Sequence, residues 1–379
     1  MFEYFKGNYA WNLTAITLIE EIGTISQPAQ AFEVVAGLSD GAGEDANAAW
    51  FDAMSELGER VEGYAEEDLA AGNALSASRK FHRAAMYFIR AERISHGNPR
   101  RLEIYKRAMT NYRKAADYGQ WGVEFVDIPF EDGFMPALFV PANSDGTPAP
   151  LLIHIQGFDS IKETQFPIYK EAKRRGLSVL IVDQPGAGGA LRLHGLHARY
   201  DSEVYVSAII DWVMSRDDMA TERLGLCGIS LGGYYAPRAA AFEPRVKACA
   251  AWGAIYDATG LAAPLLEGKK IDAPAVPDMM KHAMWSYGSK KPEDFIAVAQ
   301  KLTLEGVVDK IKCPLLVMHG ENDRQAPLED HAVKTIENAT MSDKTLKVFT
   351  IKEGGAEHCQ IDDRGLAVDY ITDWFASRL

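Results

Sequence analysis

From residue 151 onward, short apolar runs recur between helix-length stretches: Leu151–Ile155, Leu177–Val182, Leu224–Cys227, Ala248–Trp252, Leu315–His319 and Leu346–Ile351. Runs this short can be buried in few ways. Neighbouring parallel strands need a crossover of a dozen or more residues, usually a helix, and a sheet built so is covered on both faces. The alternation therefore predicts an α/β architecture with a mostly parallel, doubly wound sheet. Just upstream, Val123-Glu-Phe-Val-Asp-Ile-Pro and Phe134-Met-Pro-Ala-Leu-Phe-Val-Pro read as a hairpin turning at Asp132-Gly133.

The first third has a different period. Trp50, Met54, Leu57, Val61, Tyr64 and Leu69 recur at helical spacing between Asp45 and Ala71. A second helix is expected after Gly72-Asn73, carrying Phe81, Ala84, Ala85, Phe88, Ile89 and Ile94. A third should start at Asn98-Pro99, with Asn as the cap and Pro in the first turn. No fixed period links them, so a repeat array is not expected. The pattern changes near Trp121, which predicts an all-helical N-terminal domain over residues 1–120 and an α/β domain over 121–379. The Pro-, Lys- and Met-rich stretch from Thr259 to Lys291 interrupts the βα alternation and is expected to form a lid beyond the strands' carboxyl ends.

Composition excludes several partners. Lys and Arg number 40 against 53 Asp and Glu, a formal charge of −13. Nucleic acid and anionic membranes reward clustered cations, so neither is expected as a partner. The N-terminal residues lack a basic start followed by an unbroken apolar core, and no run reaches the length of a membrane helix. Cys227, Cys249, Cys313 and Cys359 are widely spaced, without a CxxC pair, which suits reduced thiols and a cytoplasmic location.

The pattern GxSxG occurs twice. Gly37-Leu-Ser39-Asp-Gly41 lies in the helical region, whereas Gly228-Ile-Ser230-Leu-Gly232 follows an expected strand and opens an expected helix. Only the second has the strand–turn–helix context that lifts a serine hydroxyl above a sheet. A serine hydroxyl needs a base to take its proton. Nine histidines are available, and position selects among them. In the α/β-hydrolase fold the chain order is nucleophile, acid, histidine. Ser230, Asp323 and His358 satisfy it, each in the loop after its own strand. His319 would precede the acid and is expected to pack beneath the site. Glu321 and Asp330 compete with Asp323, which is favoured by its place between Gly320-Glu-Asn and Ala326-Pro327.

The N–H of Leu231, at the start of a helix, would donate to an oxyanion. The second donor is expected from the loop after Leu151–Ile155: the N–H of Phe158, with Gly157 admitting the close approach. Asp183-Gln-Pro-Gly-Ala-Gly-Gly189 lacks phosphate-loop and dinucleotide spacing and reads as a flexible turn beside the pocket. His194 and His197 lack a third metal ligand nearby, and neither metal nor organic cofactor is expected. Asp257 is either a polar group near a leaving group or a helix-capping aspartate. His82, Tyr87 and Arg90 face either a substrate pocket or the helical packing.

These residues resemble the α/β-hydrolase branch that contains 2,6-dihydroxypseudooxynicotine hydrolase and the fungal heptaketide hydrolases. The resemblance runs from about Ser76 to the C-terminus. It rests on Gly157-Phe-Asp-Ser-Ile-Lys-Glu163, Asp183-Gln-Pro-Gly-Ala-Gly188, Gly228-Ile-Ser-Leu-Gly-Gly-Tyr-Tyr235, Glu243-Pro-Arg245, Trp252-Gly253, His319-Gly320, Asp323 and Glu357-His-Cys359. The stretch Ser76–Tyr118 resembles that branch's helical N-terminal domain. Gln156, where the branch often has Gly, and the segment after Asp257 depart from it. The resemblance implies a helical cap and hydrolysis of a carbon–carbon bond next to a carbonyl in a β-diketone-like, polyketide or aromatic ketone substrate. Carboxylic ester hydrolysis is the alternative, and a non-catalytic ligand-binding protein is a remoter one. A small-molecule carbonyl compound is the expected partner, and a homodimer is the assembly the resemblance suggests.

Overall fold

The apolar runs form one eight-stranded sheet, in the order β1-β2-β4-β3-β5-β6-β7-β8. The computed structural model describes residues 3–39, 43–259 and 274–379. The strands are Glu124–Phe130 (β1), Gly133–Val140 (β2), Pro150–Ile155 (β3), Ser178–Val182 (β4), Ala220–Ile229 (β5), Val246–Trp252 (β6), Leu315–Gly320 (β7) and Lys344–Phe349 (β8). The hairpin β1–β2 joins the sheet antiparallel to β4, and every pairing from β4 to β8 is parallel. All five residues of β4 are buried, as a strand covered on both faces requires.

Two strands differ from their expected limits. β5 starts at Ala220, four residues early, because Ala220 pairs with Pro150 of β3 even though Glu222 and Arg223 are exposed. β8 runs two residues upstream of Leu346–Ile351. It is the edge strand, with Lys344 opposite Leu315 and Phe349 opposite Gly320, so one side of the ladder is open and polar residues are tolerated. Ile351, expected in the strand, lies beyond it and is exposed.

Upstream, the described residues form five α-helices: Tyr9–Ile22 (α1), Ser26–Val35 (α2), Glu44–Ala70 (α3), Ala74–Ile94 (α4) and Arg101–Gly119 (α5). α5 begins after Asn98-Pro99 rather than at it. The Asn98 side chain accepts from the Arg100 N–H at 2.9 Å, closing a turn before the helix. Phe5, Trp11, Phe32 and Trp50 form a buried ring cluster, with Trp11 and Trp50 4.8 Å apart.

Among the described residues one compact unit comprises 3–39, 43–123 and 274–281, and the other 124–259 and 282–379. Residues 274–281, expected in the lid, belong to the helical unit: the Ala275 carbonyl accepts from Arg93 at 2.7 Å. Residues 260–273 of that lid segment lie outside the described residues. All four cysteines are free thiols. Among the described residues no helix is long and apolar enough to cross a membrane.

Candidate active site

Ser230 follows β5 and precedes the helix Gly232–Phe242. Its φ is 57°, in the left-handed region that a residue with a Cβ rarely occupies. The turn is held from both sides: the Ser230 N–H donates to the Trp252 carbonyl at 2.7 Å, and the Gly233 N–H donates to the Ser230 carbonyl at 2.6 Å. The crowding explains Gly228, where a Cβ would lie 2.1 Å from the Gly232 carbonyl oxygen. Ser39, by contrast, follows a short 3-10 turn with φ −63°, and the Asp40 and Gly41 of its motif lie outside the described residues.

Two loops at the carboxyl ends of β7 and β8 bring their side chains to Ser230. His358 Nε2 is 2.8 Å from Ser230 Oγ, and His358 Nδ1 is 2.7 Å from Asp323 Oδ2. Asp323 Oδ1 accepts the N–H groups of Gln325 and Ala326, both at 2.9 Å, so the carboxylate is aimed before it meets the histidine. His319 Nε2 donates to the Ala326 carbonyl at 2.7 Å and lies 3.3 Å from Asp323 Oδ2. The competing acids point elsewhere. Glu321 accepts the Ile351 N–H at an exposed position, and Asp330 pairs with Lys334.

Burial and pairing oppose each other here. Burial pushes the Asp323 carboxyl upward, but the charge and hydrogen bond of His358, then His319 and the Ala326 N–H, hold it below its ordinary value. Burial likewise penalises the His358 cation, yet the Asp323 carboxylate wins and raises the imidazole well above its ordinary value. His319 is lowered, chiefly by burial.

The loop after β3 lies against the Ser230 turn. A Cβ on Gly157 would stand 2.7 Å from the Ile229 carbonyl oxygen, 2.8 Å from Ser230 Cβ and 3.4 Å from the Leu231 nitrogen. The Gly157 N–H is taken by Ser160 Oγ at 2.9 Å. Phe158 is gripped twice by His282: its carbonyl accepts from Nε2 at 2.9 Å, and the rings are 4.4 Å apart. Gln156, fully buried, exchanges hydrogen bonds with Gln184: the Gln156 N–H donates to Oε1 at 2.8 Å, and Gln184 Nε2 donates to the Gln156 carbonyl at 2.9 Å.

The Asp183–Gly189 turn is pinned rather than flexible. Asp183, with no exposed surface, accepts the N–H groups of Lys162 and Gly189, both at 2.8 Å. The Lys162 ammonium lies 3.0 Å from Asp183 and 2.6 Å from Glu163, and burial raises the Glu163 carboxyl. This ionic anchor joins segments about 20 residues apart, which no single motif spans. Its signal was a Lys-Glu pair in a segment otherwise built to be buried.

The profile of the family described as "Esterase FrsA-like" matches residues 60–379. The chain belongs to the FrsA-like esterase family. It is 28% identical to the 2,6-dihydropseudooxynicotine hydrolase of Paenarthrobacter nicotinovorans, over 74% of this chain and 72% of that one. It is 29% identical to Hydrolase ORFZ of Pyricularia oryzae, over 91% of each chain. The crystal structure of the 2,6-dihydroxy-pseudo-oxynicotine hydrolase superimposes with a TM-score of 0.77 at 25% identity, covering 96% of this chain and 95% of that one. This FrsA-like chain is thus a hydrolase with the α/β-hydrolase fold.

Four other residues singled out in this FrsA-like chain have partners of their own. Asp257, half-buried, accepts from the Thr259 N–H at 2.7 Å and from the Thr259 hydroxyl, the local bonding of a capping aspartate. Tyr87 is fully buried within the helical unit and donates to Gln27 at 3.3 Å. His82 meets Trp121 edge-on at 5.4 Å, and burial, followed by the charge of Arg83, lowers its pKa to about 4. Arg90 pairs with Glu21 at 2.5 Å, both buried. Among the described residues no group of three or more His, Cys, Asp or Glu is placed to hold a metal ion, and His194 instead packs edge-on with Phe134.

Proposed function

We propose that Ser230, His358 and Asp323 form a catalytic triad that hydrolyses an activated carbonyl compound. The observation that carries the reading is the continuous contact from Ser230 Oγ through His358 to Asp323, at 2.8 and 2.7 Å. His358 Nε2 takes the hydroxyl proton as Oγ attacks the carbonyl carbon, and Asp323 stabilises the imidazolium. The N–H groups of Leu231 and Phe158 receive the oxyanion, with Gly157 allowing the loop close to the turn. Collapse expels the leaving group, which takes the proton from His358. Water then attacks the acyl-serine with His358 again as base, releasing a carboxylic acid and restoring Ser230.

The leaving group divides two readings. We place first the cleavage of a carbon–carbon bond in a β-diketone-like, polyketide or aromatic ketone substrate, supported by the sequence resemblance and the named relatives. The departing carbanion must then be an enolate, delocalised by a second carbonyl and protonated at carbon. Carboxylic ester hydrolysis, in which an alkoxide departs, is supported by the family's description. Substrate choice is assigned to the helical residues 1–120, expected from the sequence as a cap. A homodimer and a cytoplasmic location complete the proposal.

The test is a paired assay on a β-diketone and on an ester sharing its acyl group. Carbon–carbon cleavage gives acid and ketone from the diketone at the higher kcat/KM, and an ester hydrolase reverses the order. Ser230→Ala should abolish both activities. Turnover that survives it excludes the triad.

A further inference from the structure

We infer that Trp252 and Gln360 are positioning residues that hold the His358 loop in register with the Ser230 turn; the inference rests on the triad proposed above. Trp252 is the last residue of β6 and is fully buried. Its carbonyl oxygen accepts the Ser230 N–H at 2.7 Å, and the Cys359 thiol donates to the same oxygen at 3.6 Å. Its indole Nε1–H donates to Gln360 Oε1 at 2.7 Å, and Gln360 too has no exposed surface. One residue therefore touches the backbone of the nucleophile and the two residues that follow the histidine.

The loop needs such a hold. Cys359 and Gln360 both have φ of 52°, two successive non-glycine residues in the left-handed region. That conformation persists only where the surroundings over-determine it. The end of β6 also touches the loop directly: a Cβ on Gly253 would stand 2.6 Å from Cys359 Sγ and 3.5 Å from His358 Cε1. His358 must reach Ser230 and Asp323 with opposite edges of one ring, so a shift of the loop improves one contact only by losing the other. In this buried setting an indole N–H without an acceptor is penalised, which makes the Trp252–Gln360 bond a one-position latch.

The test compares Gln360→Met, which keeps volume but removes the acceptor, with Trp252→Phe, which removes the donor, and with the double variant. Each folded single variant should lose about 10- to 100-fold in kcat, the scale of an ångström-sized misplacement. KM should stay within about twofold, because neither residue is exposed to substrate. Phosphonylation by a fluorophosphonate should slow in parallel. The double variant should be no slower than the worse single one, because both remove the same bond. A purely structural role would lower the melting temperature and leave kcat in place, which overturns the inference, as do additive losses in the double variant. Ser230→Ala separates the two levels. If it is inactive while folded Gln360→Met matches the unaltered enzyme, the latch falls and the triad stands; if it is fully active, both fall. Should neither single variant fold, the unaltered protein decides through the indole 15N–1H resonance of Trp252. That resonance should move when Ser230 is phosphonylated, and an unmoved resonance overturns the coupling.

Discussion

Gly157→Ala tests the oxyanion side of the site with a magnitude that follows from the structure. The added methyl would stand 2.7 Å from the Ile229 carbonyl oxygen, whereas ordinary contact begins at 3.4 Å, so something must yield by about 0.7 Å. The Ser230 turn is poorly placed to yield, being tied to Trp252 at 2.7 Å and closed by the Gly233 N–H at 2.6 Å. The β3 loop should therefore retreat and carry the Phe158 N–H away from the oxyanion. Losing one such donor costs about 10²–10³ in kcat, and a partial retreat of this size should cost about 10-fold to 10²-fold. The loop's own anchors, Gln156–Gln184 and Lys162–Asp183, limit how far it moves and should keep the protein folded. Steady-state kinetics on p-nitrophenyl acetate, with melting followed by circular dichroism, read both effects. A folded Gly157→Ala enzyme with unchanged kcat would refute the placement of the oxyanion site between this loop and the Ser230 turn.

Asp323→Asn should lower kcat by roughly 10⁴, by favouring the wrong imidazole tautomer, while Glu321→Gln and Asp330→Asn stay near the unaltered rate. The proposed role of His358 as a base requires the neutral ring, and Asp323 holds its pKa above the ordinary value. Activity should thus fall as pH drops through that raised pKa, with its midpoint on the alkaline side of a free imidazole's; a midpoint below pH 6 in a chemistry-limited assay contradicts the coupling. Lys162→Met leaves the Asp183 carboxylate buried without its ammonium partner and should destabilise the protein by about 3–5 kcal/mol, measured by urea unfolding. Ser39→Ala should leave kcat/KM within about twofold, because that serine lies in the helical unit, outside a strand–turn–helix context.

Chain order and local context single out Ser230, Asp323 and His358, and the fold brings these side chains within hydrogen-bond reach of one another. A glycine-flanked serine between an apolar run and a helix can hardly be placed otherwise, and an acid and a histidine after later strands follow from the winding of a parallel sheet. Asp323 could be preferred to Glu321 only by position, because the deciding facts, the N–H groups of Gln325 and Ala326 on its Oδ1, depend on how the loop folds back. Contacts between distant segments left no local trace. The Gln156–Gln184 exchange and the Lys162–Asp183 pair join residues far apart in sequence, so Asp183–Gly189 reads in isolation as a flexible turn, whereas the Asp183 carboxylate ties it down. The edge strand β8 lies two residues upstream of its apolar run for a related reason. Its limits are set by the register against β7 and not by its own hydrophobic pattern.

The central claim is that Ser230 is a nucleophile activated by His358, and mass spectrometry of the intact protein after fluorophosphonate treatment tests it most directly. The account predicts one adduct per chain, mapped by peptide analysis to Ser230, forming rapidly in the unaltered protein and orders of magnitude more slowly in His358→Gln. Folded protein that stays unlabelled, or an adduct mapped to Ser39 or another serine, would contradict it.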